Sequence, residues 1–222
     1  MVILGMVAPL GSMFFFSFFA RDTGPDTLAY ILTGNVVLAL MFDNLDKVTS
    51  RFSFMRAMGN LDYYATLPVQ KNVLILAVVL SFLLLSLPSL VFTILGGAVL
   101  LGVPLALHPV ILIVIPLCTI PMAGIGALIG SIARTPQEAG SLSLLLTLVM
   151  LGLGPVLIPP SRLPDVMLIL GRFSPATYAA SALRQALLGP LTGQIVLDLT
   201  VLAGVMVVVL WLVGRKMDWR QD

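Results

Sequence analysis

Apolar stretches of about 20 residues follow one another along this chain, with only short polar turns between them. In hydrocarbon a backbone N–H or C=O finds no water, so each such stretch must satisfy its own backbone. Their length and number mean an all-α polytopic membrane protein. Composition agrees: 10% of the 222 residues are charged, against about 25% in a soluble domain. A net charge of +2 is too small to imply a nucleic-acid partner. The single cysteine, Cys118, lies inside an apolar run and excludes an intramolecular disulfide. The first run, from Val2 to Phe19, has neither a basic leader nor a small-residue cleavage site, so it reads as a span and not a signal peptide.

Six spans are expected, at about residues 2–20, 28–47, 73–95, 110–133, 141–158 and 195–213. The third has a possible kink at Pro88, and the fourth carries Gly126-x-x-x-Gly130, which lets another helix come close. Phe14, Phe15, Phe16, Phe18 and Phe19 make the first span bulky, as a lipid-facing surface would. Asp43, Asn44 and Asp46, followed by Lys47, read as a solvated end of span 2 or a partner contact. Residues 134–140 read as a polar turn. No internal repeat is visible, which weakens an inverted-repeat transporter.

Residues 159–193 are too polar for one span and too apolar for an ordinary loop. Within them Ser174 is placed to cap a helix, Pro175 occupies its first turn, and Gly189-Pro190 ends it. About fourteen residues at ~1.5 Å each reach ~21 Å, short of a ~30 Å hydrocarbon core. The element is therefore re-entrant or interfacial. Lysine and arginine divide eight to four in favour of the side holding residues 43–71, 134–140 and the tail, which makes that side cytoplasmic, both termini included, and the hairpin external.

The one long interior stretch that is neither span nor turn is residues 50–71. It reads as two short helices. The first, Arg51 to Met58, stops at Gly59; the second opens at Asn60, with Asp62 in its first turn, and closes at Leu67 before Pro68. Leu61, Tyr64 and Ala65 would share a face. The second helix is either a docking knob on the cytoplasmic surface or a helix resting on lipid headgroups.

The chain has no G-x-x-x-x-G-K-[ST] loop, no metal-ligand cluster and no G-x-S-x-G with a partner histidine. His108 reads as a loop residue at the outer surface. Asp198 reads either as an interfacial acid paired with Arg184 or Arg172, or as an acid on a substrate path. Arg184 either snorkels to headgroups or ties the hairpin to a span end.

The order of these parts resembles the permease subunit of ABC type-2 exporters, the group of drug-resistance and polysaccharide- or nodulation-factor-export permeases. GNLDYYATLPV (59–69) and FSPATYAASALRQALLG (173–189) carry the resemblance. The second is similar to a family pattern that begins Asn-Pro, with Ser174 here in the Asn place, then Pro175, Tyr178, Arg184 and Gly189. The resemblance implies that Asn60, Leu61, Asp62, Tyr63, Tyr64, Leu67 and Pro68 form a coupling helix that docks into an ABC ATPase subunit. It implies that Pro175, Tyr178, Arg184 and Gly189 belong to external re-entrant helices capping the translocation path. It further implies a homodimer in the prokaryotic cytoplasmic membrane, export direction, spans 2 and 5 along the path, and no cofactor on this chain, with ATP and Mg on the partner ATPase. Family members usually open with an amphipathic elbow helix; its lack here implies a late start at Met1 or a truncated chain. Two alternatives remain: a haem-export ABC permease of cytochrome c maturation, against which the lone His108 argues, and an ATP-independent transporter or channel. The latter would need ionisable or polar residues at mid-membrane, which spans 1, 3 and 5 are read as not offering.

Overall fold

The computed structural model describes residues 2–20, 25–66 and 71–216, and within them every regular element is helical. The order is α1 (Val2–Ala20), α2 (Pro25–Leu40), a π-helical segment (Met41–Asp46), α3 (Lys47–Ala57), α4 (Asn60–Thr66), α5 (Lys71–Leu101), α6 (Ile111–Ile132), α7 (Pro136–Gly152), a 3₁₀ turn (Pro160–Arg162), α8 (Asp165–Gly171), α9 (Pro175–Leu188) and α10 (Gln194–Lys216). Four helices among the described residues are long and apolar enough to cross a membrane: Thr27–Ala57, Val73–Leu101, Ile111–Ile132 and Gln194–Arg215. Six spans were expected; the described apolar part of α1 is Pro9–Phe18, and α7 has 17 residues, so both fall below that length.

The surface is patterned as lipid requires. Phe14, Leu84, Phe92, Leu112, Leu145 and Val207 are exposed, while Asn35, Thr93, Thr119, Thr147 and Asp198 are buried. α7 shows the inversion within one helix, with Leu144, Leu145 and Leu148 outward and Ser143 and Thr147 inward. On α5, Ser86, Ser89 and Thr93 are likewise buried. The helices read as spans 3 and 5 thus carry hydroxyls turned into the protein, at Ser86, Ser89, Thr93, Ser143 and Thr147.

Span ends move for local reasons. Span 2 and the helix expected at Arg51–Met58 are one element: Thr27–Ala57 is a single 31-residue helix, continuous through a π segment. Residues 134–140 are a helix start and not a turn. The Thr135 side chain accepts a bond from the Glu138 N–H (3.1 Å), and the Glu138 carboxylate accepts one from the Arg134 N–H (2.9 Å). This resembles a capping box, with the return bond made one residue before the Thr135 N-cap and Pro136 at the first helical position, and it starts α7 earlier than expected. α7 then ends at Gly152, because Gly154 precedes Pro155 and is held out of the α region.

Two apolar clusters form the interior. The larger joins α2, α6, α9 and their neighbours; the smaller joins Val48 and Phe52 of α3, Ile75 and Val79 of α5, Ala123 and Ala127 of α6, and Val209 and Val213 of α10. Gly126 and Gly130 set the second cluster's spacing. A Cβ on Gly130 would lie 2.5 Å from the Thr49 carbonyl oxygen and 2.8 Å from Phe52 Cβ, and one on Gly126 would press on the Leu45 carbonyl. The helix that approaches α6 at its Gly-x-x-x-Gly is therefore α3 of the same chain.

Candidate functional site

α4 stands at one end of the bundle. Gly59, with φ +68°, adopts the left-handed conformation that stops α3, and its N–H donates to the Arg56 carbonyl (3.0 Å). Leu61 turns inward and is buried, and Tyr64 is half-buried. Tyr63 points out, 64% exposed, with Met58 (72%) and Phe54 (52%) of the preceding helix. Leu67 and Pro68 lie outside the described residues, as do the side chains of Asp62 and Ala65.

The helix that carries α4 is closely packed and hydrogen-bonded to α6. α3 is seated on Gly126 and Gly130 of α6, and Thr49 Oγ1 donates across the seam to the Gly126 carbonyl (3.1 Å). The Arg56 guanidinium donates to the carbonyls of Ser131 (2.7 Å) and Ala133 (3.2 Å), satisfying acceptors that the C-terminus of α6 leaves without intrahelical partners.

Along Thr27–Ala57, the π segment carries Asp43, Asn44 and Asp46. They are not a solvated helix end: Asp43 and Asn44 are buried, because the helix continues past them to Ala57. Lys47 forms an ion pair with Asp43, and the Asn44 side-chain N–H donates to the Leu40 carbonyl (3.2 Å). Burial also removes Asp43 and Asn44 from any partner surface.

At the far end of that helix lies α9. α8 and α9 are bent 89° to one another, and the backbones of Gly154 and Gly171 meet at the turn, where a Cβ on Gly171 would lie 2.8 Å from Gly154 Cα. α9 starts and stops where expected, but Ser174 does not cap it; the hydroxyl donates instead to the Met150 carbonyl (3.4 Å). Ala176, Ala179, Leu183, Ala186 and Leu187 are all buried, against α2, α6, α7 and α10. The carbonyls of Ala186 and Leu187, left over at the C-terminus, accept from His108 N–H (3.0 Å) and Ala106 N–H (2.8 Å) of the α5–α6 loop.

Of the residues singled out on α9, Tyr178 donates to the Arg172 carbonyl (2.8 Å), tying α9 back to the end of α8, and Gly189 ends the helix at φ +62°. Arg184 lays its guanidinium 3.5 Å from the Tyr30 ring centroid and donates to Thr33 Oγ1 (3.3 Å). It holds α9 to α2 and does not snorkel away. Asp198 of α10 is fully buried, and no ion pair joins it to Arg184 or Arg172. Its carboxylate accepts from neutral donors instead: Ser181 (2.6 Å), Gln185 (3.2 Å) and Gln194 (3.2 Å). Gln185 in turn accepts from Thr192, so α9, the 189–193 turn and the head of α10 form one bonded unit.

The family profile for the ABC-2 type transporter matches residues 1–188, which is α1 through α9. The chain belongs to the ABC-2 type transporter family. No curated protein and no solved structure matches it. As an ABC-2 permease it is an integral membrane protein and a transport subunit, and the matched domain is the membrane domain of a transporter and not a catalytic ATPase domain. In this permease the two motifs that carried the resemblance occupy opposite ends of one helix: α4 follows Ala57, and Arg184 of α9 contacts Tyr30 and Thr33. Sequence reasoning missed Arg56 as the clamp on α6 and Ser181 and Gln185 as ligands of Asp198. The T-x-x-E of residues 135–138 and the i, i+4 pair Asp43/Lys47 were signals on the page.

Proposed function

We propose that this permease is half of the membrane domain of an ATP-driven exporter, with two copies enclosing the path and two separate ATPase subunits docked at the α4 end. On this reading α1 and α7 complete six spans, α8–α9 is an external re-entrant hairpin, and the α4 end is cytoplasmic, as the eight-to-four lysine and arginine division favours. The observation that carries it is the mechanical connection. An exposed apolar ridge of Phe54, Met58 and Tyr63 tops a helix that is locked to α6 and runs unbroken from Ala57 back to Tyr30, where Arg184 of α9 meets it ~40 Å away. Closure of an ATPase dimer on that ridge would displace α4 and the Thr27–Ala57 helix together. The displacement would reach α9 through Tyr30 and Thr33, and α9 would carry the head of α10 with it through Asp198. The chain itself performs no bond chemistry; ATP and Mg belong to the partner.

The test is purification of the full chain from its host in mild detergent, reading co-eluting ATPase activity. The wild-type chain should bring an ATPase with it. A Tyr63→Asp, Met58→Asp double variant should lose it at least tenfold while keeping the same thermal transition, since both side chains are exposed. ATPase recovery unaffected by the double variant removes the docking role of α4. A chain that elutes alone under all mild conditions supports an ATP-independent transporter instead.

A further inference from the structure

Close to the α4 end, the outward faces of α5 and α10 part to leave an open groove of about 560 Å³, lined by Ile75, Leu76, Leu210, Trp211, Gly214 and Arg215. That is within the ~300–1,000 Å³ of small-molecule sites. Its floor is apolar: Ile75 is buried in the cluster that Val79, Val209 and Val213 close against α6. Its walls open outward, with Leu76 and Trp211 both large and exposed. α5 and α10 are two of the span-length helices, so this opening faces lipid. At its mouth the Arg215 guanidinium stands 5.3 Å over the Trp211 ring, which holds the cation at the slot instead of leaving it free to turn away. A tryptophan and an arginine in the last two turns of a span mark the depth of the headgroups. Lys71 opens α5 and Lys216 ends α10, so the sequence adds positive charge at this same end.

An apolar slot beneath a fixed cation complements an acyl chain beneath a net-negative headgroup. A water-soluble anion would gain nothing from the slot, and a choline lipid would bring its own cation beside Arg215. We propose that this groove is a binding site for an anionic phospholipid of the surrounding leaflet. One acyl chain lies along Ile75, Leu76 and Leu210, and the phosphate meets Arg215 next to the Trp211 indole. The site is independent of ATPase docking and is tested without it.

The experiment is native mass spectrometry of the full chain, purified in neutral detergent and titrated with phosphatidylglycerol, phosphatidylcholine or inorganic phosphate. One phosphatidylglycerol per chain should be retained in preference to phosphatidylcholine, and millimolar phosphate should not displace it. Arg215→Gln should weaken retention about fivefold, the equivalent of one cation near an anionic surface. Gly214→Leu should weaken it similarly by filling the slot with Arg215 still present, whereas Arg162→Gln, an exposed arginine elsewhere, should change nothing. Thermal transitions recorded without lipid establish that each variant is folded; if Gly214→Leu is not, Trp211→Leu replaces it, with the same expected loss. Equal retention of the two lipids, displacement by phosphate, or wild-type selectivity in the Arg215 and groove variants each overturns the proposal.

Discussion

Replacing Gly130 by alanine measures how much the α3–α6 seam depends on the absence of a side chain. The new methyl would sit 2.5 Å from the Thr49 carbonyl oxygen, 2.8 Å from Phe52 Cβ and 3.2 Å from the Ser53 nitrogen. Two of the three obstacles are backbone atoms, which cannot swing aside as a side-chain tip can. The helices must therefore separate by ~0.9 Å to restore ordinary van der Waals distance, a gap that forfeits a quarter to a half of each dispersion contact it opens. The same retreat stretches the Thr49–Gly126 and Arg56–Ser131 hydrogen bonds. Overpacking of this kind costs about 1–3 kcal/mol. Alanine recovers about 0.5–1 kcal/mol through its helix preference. A net loss of about 1 kcal/mol is expected, the two terms bounding it at about 0–2.5 kcal/mol. Gly204 on α10 supplies the control, because a Cβ there meets nothing within 4 Å, and Gly204→Ala should stabilise by about 0.5–1 kcal/mol. Reversible unfolding in mixed micelles with rising dodecyl sulfate, followed by helix content, gives both numbers. If the two alanine variants shift the midpoint in the same direction by similar amounts, the close approach of α3 and α6 is not what requires the glycine.

Asp198→Leu strands Ser181, Gln185 and Gln194 without their acceptor and should cost about 2 kcal/mol in the same unfolding assay, while Asp198→Asn, which retains one acceptor oxygen, should cost less than half of that; equal losses would contradict the hydrogen-bond account. Arg56→Met keeps the apolar stem but drops both bonds to the end of α6, so amide hydrogen exchange across the last turn of α6 should quicken about tenfold, for a loss of about 1.4 kcal/mol, and unchanged exchange would show that the turn needs no clamp.

Local chemistry was legible in the sequence wherever a residue acts on its own backbone. Gly59 stops α3, Pro175 and Gly189 bound α9, and Gly126-x-x-x-Gly130 marks a close approach, each through a constraint within a few residues. What the sequence hid were contacts made far along the chain. Asp43 and Asn44 look like a solvated end because acids and amides usually cluster there; their burial depends on the helix passing through a π segment and on α6 and α7, far along the chain, packing against it. Asp198 was expected beside an arginine because both are charged. The structure fills its acceptor sites with neutral donors and gives Arg184 an aromatic ring, partners that no spacing rule selects. Ser174 had the right type and position for a cap, yet its hydroxyl found a carbonyl on α7.

The unbroken Thr27–Ala57 helix is the least apolar of the four span-length helices and the most enclosed by protein. Its charged and amide groups pair within the helix, Lys47 with Asp43 and Asn44 with the Leu40 carbonyl, and are enclosed by α6 and α7, which are synthesised later. When this segment first leaves the ribosome it carries these internal pairs but lacks the helices that enclose it. That enclosure is completed only when α6 and α7 arrive, so the final environment of these groups is a property of the assembled bundle and not of the isolated helix.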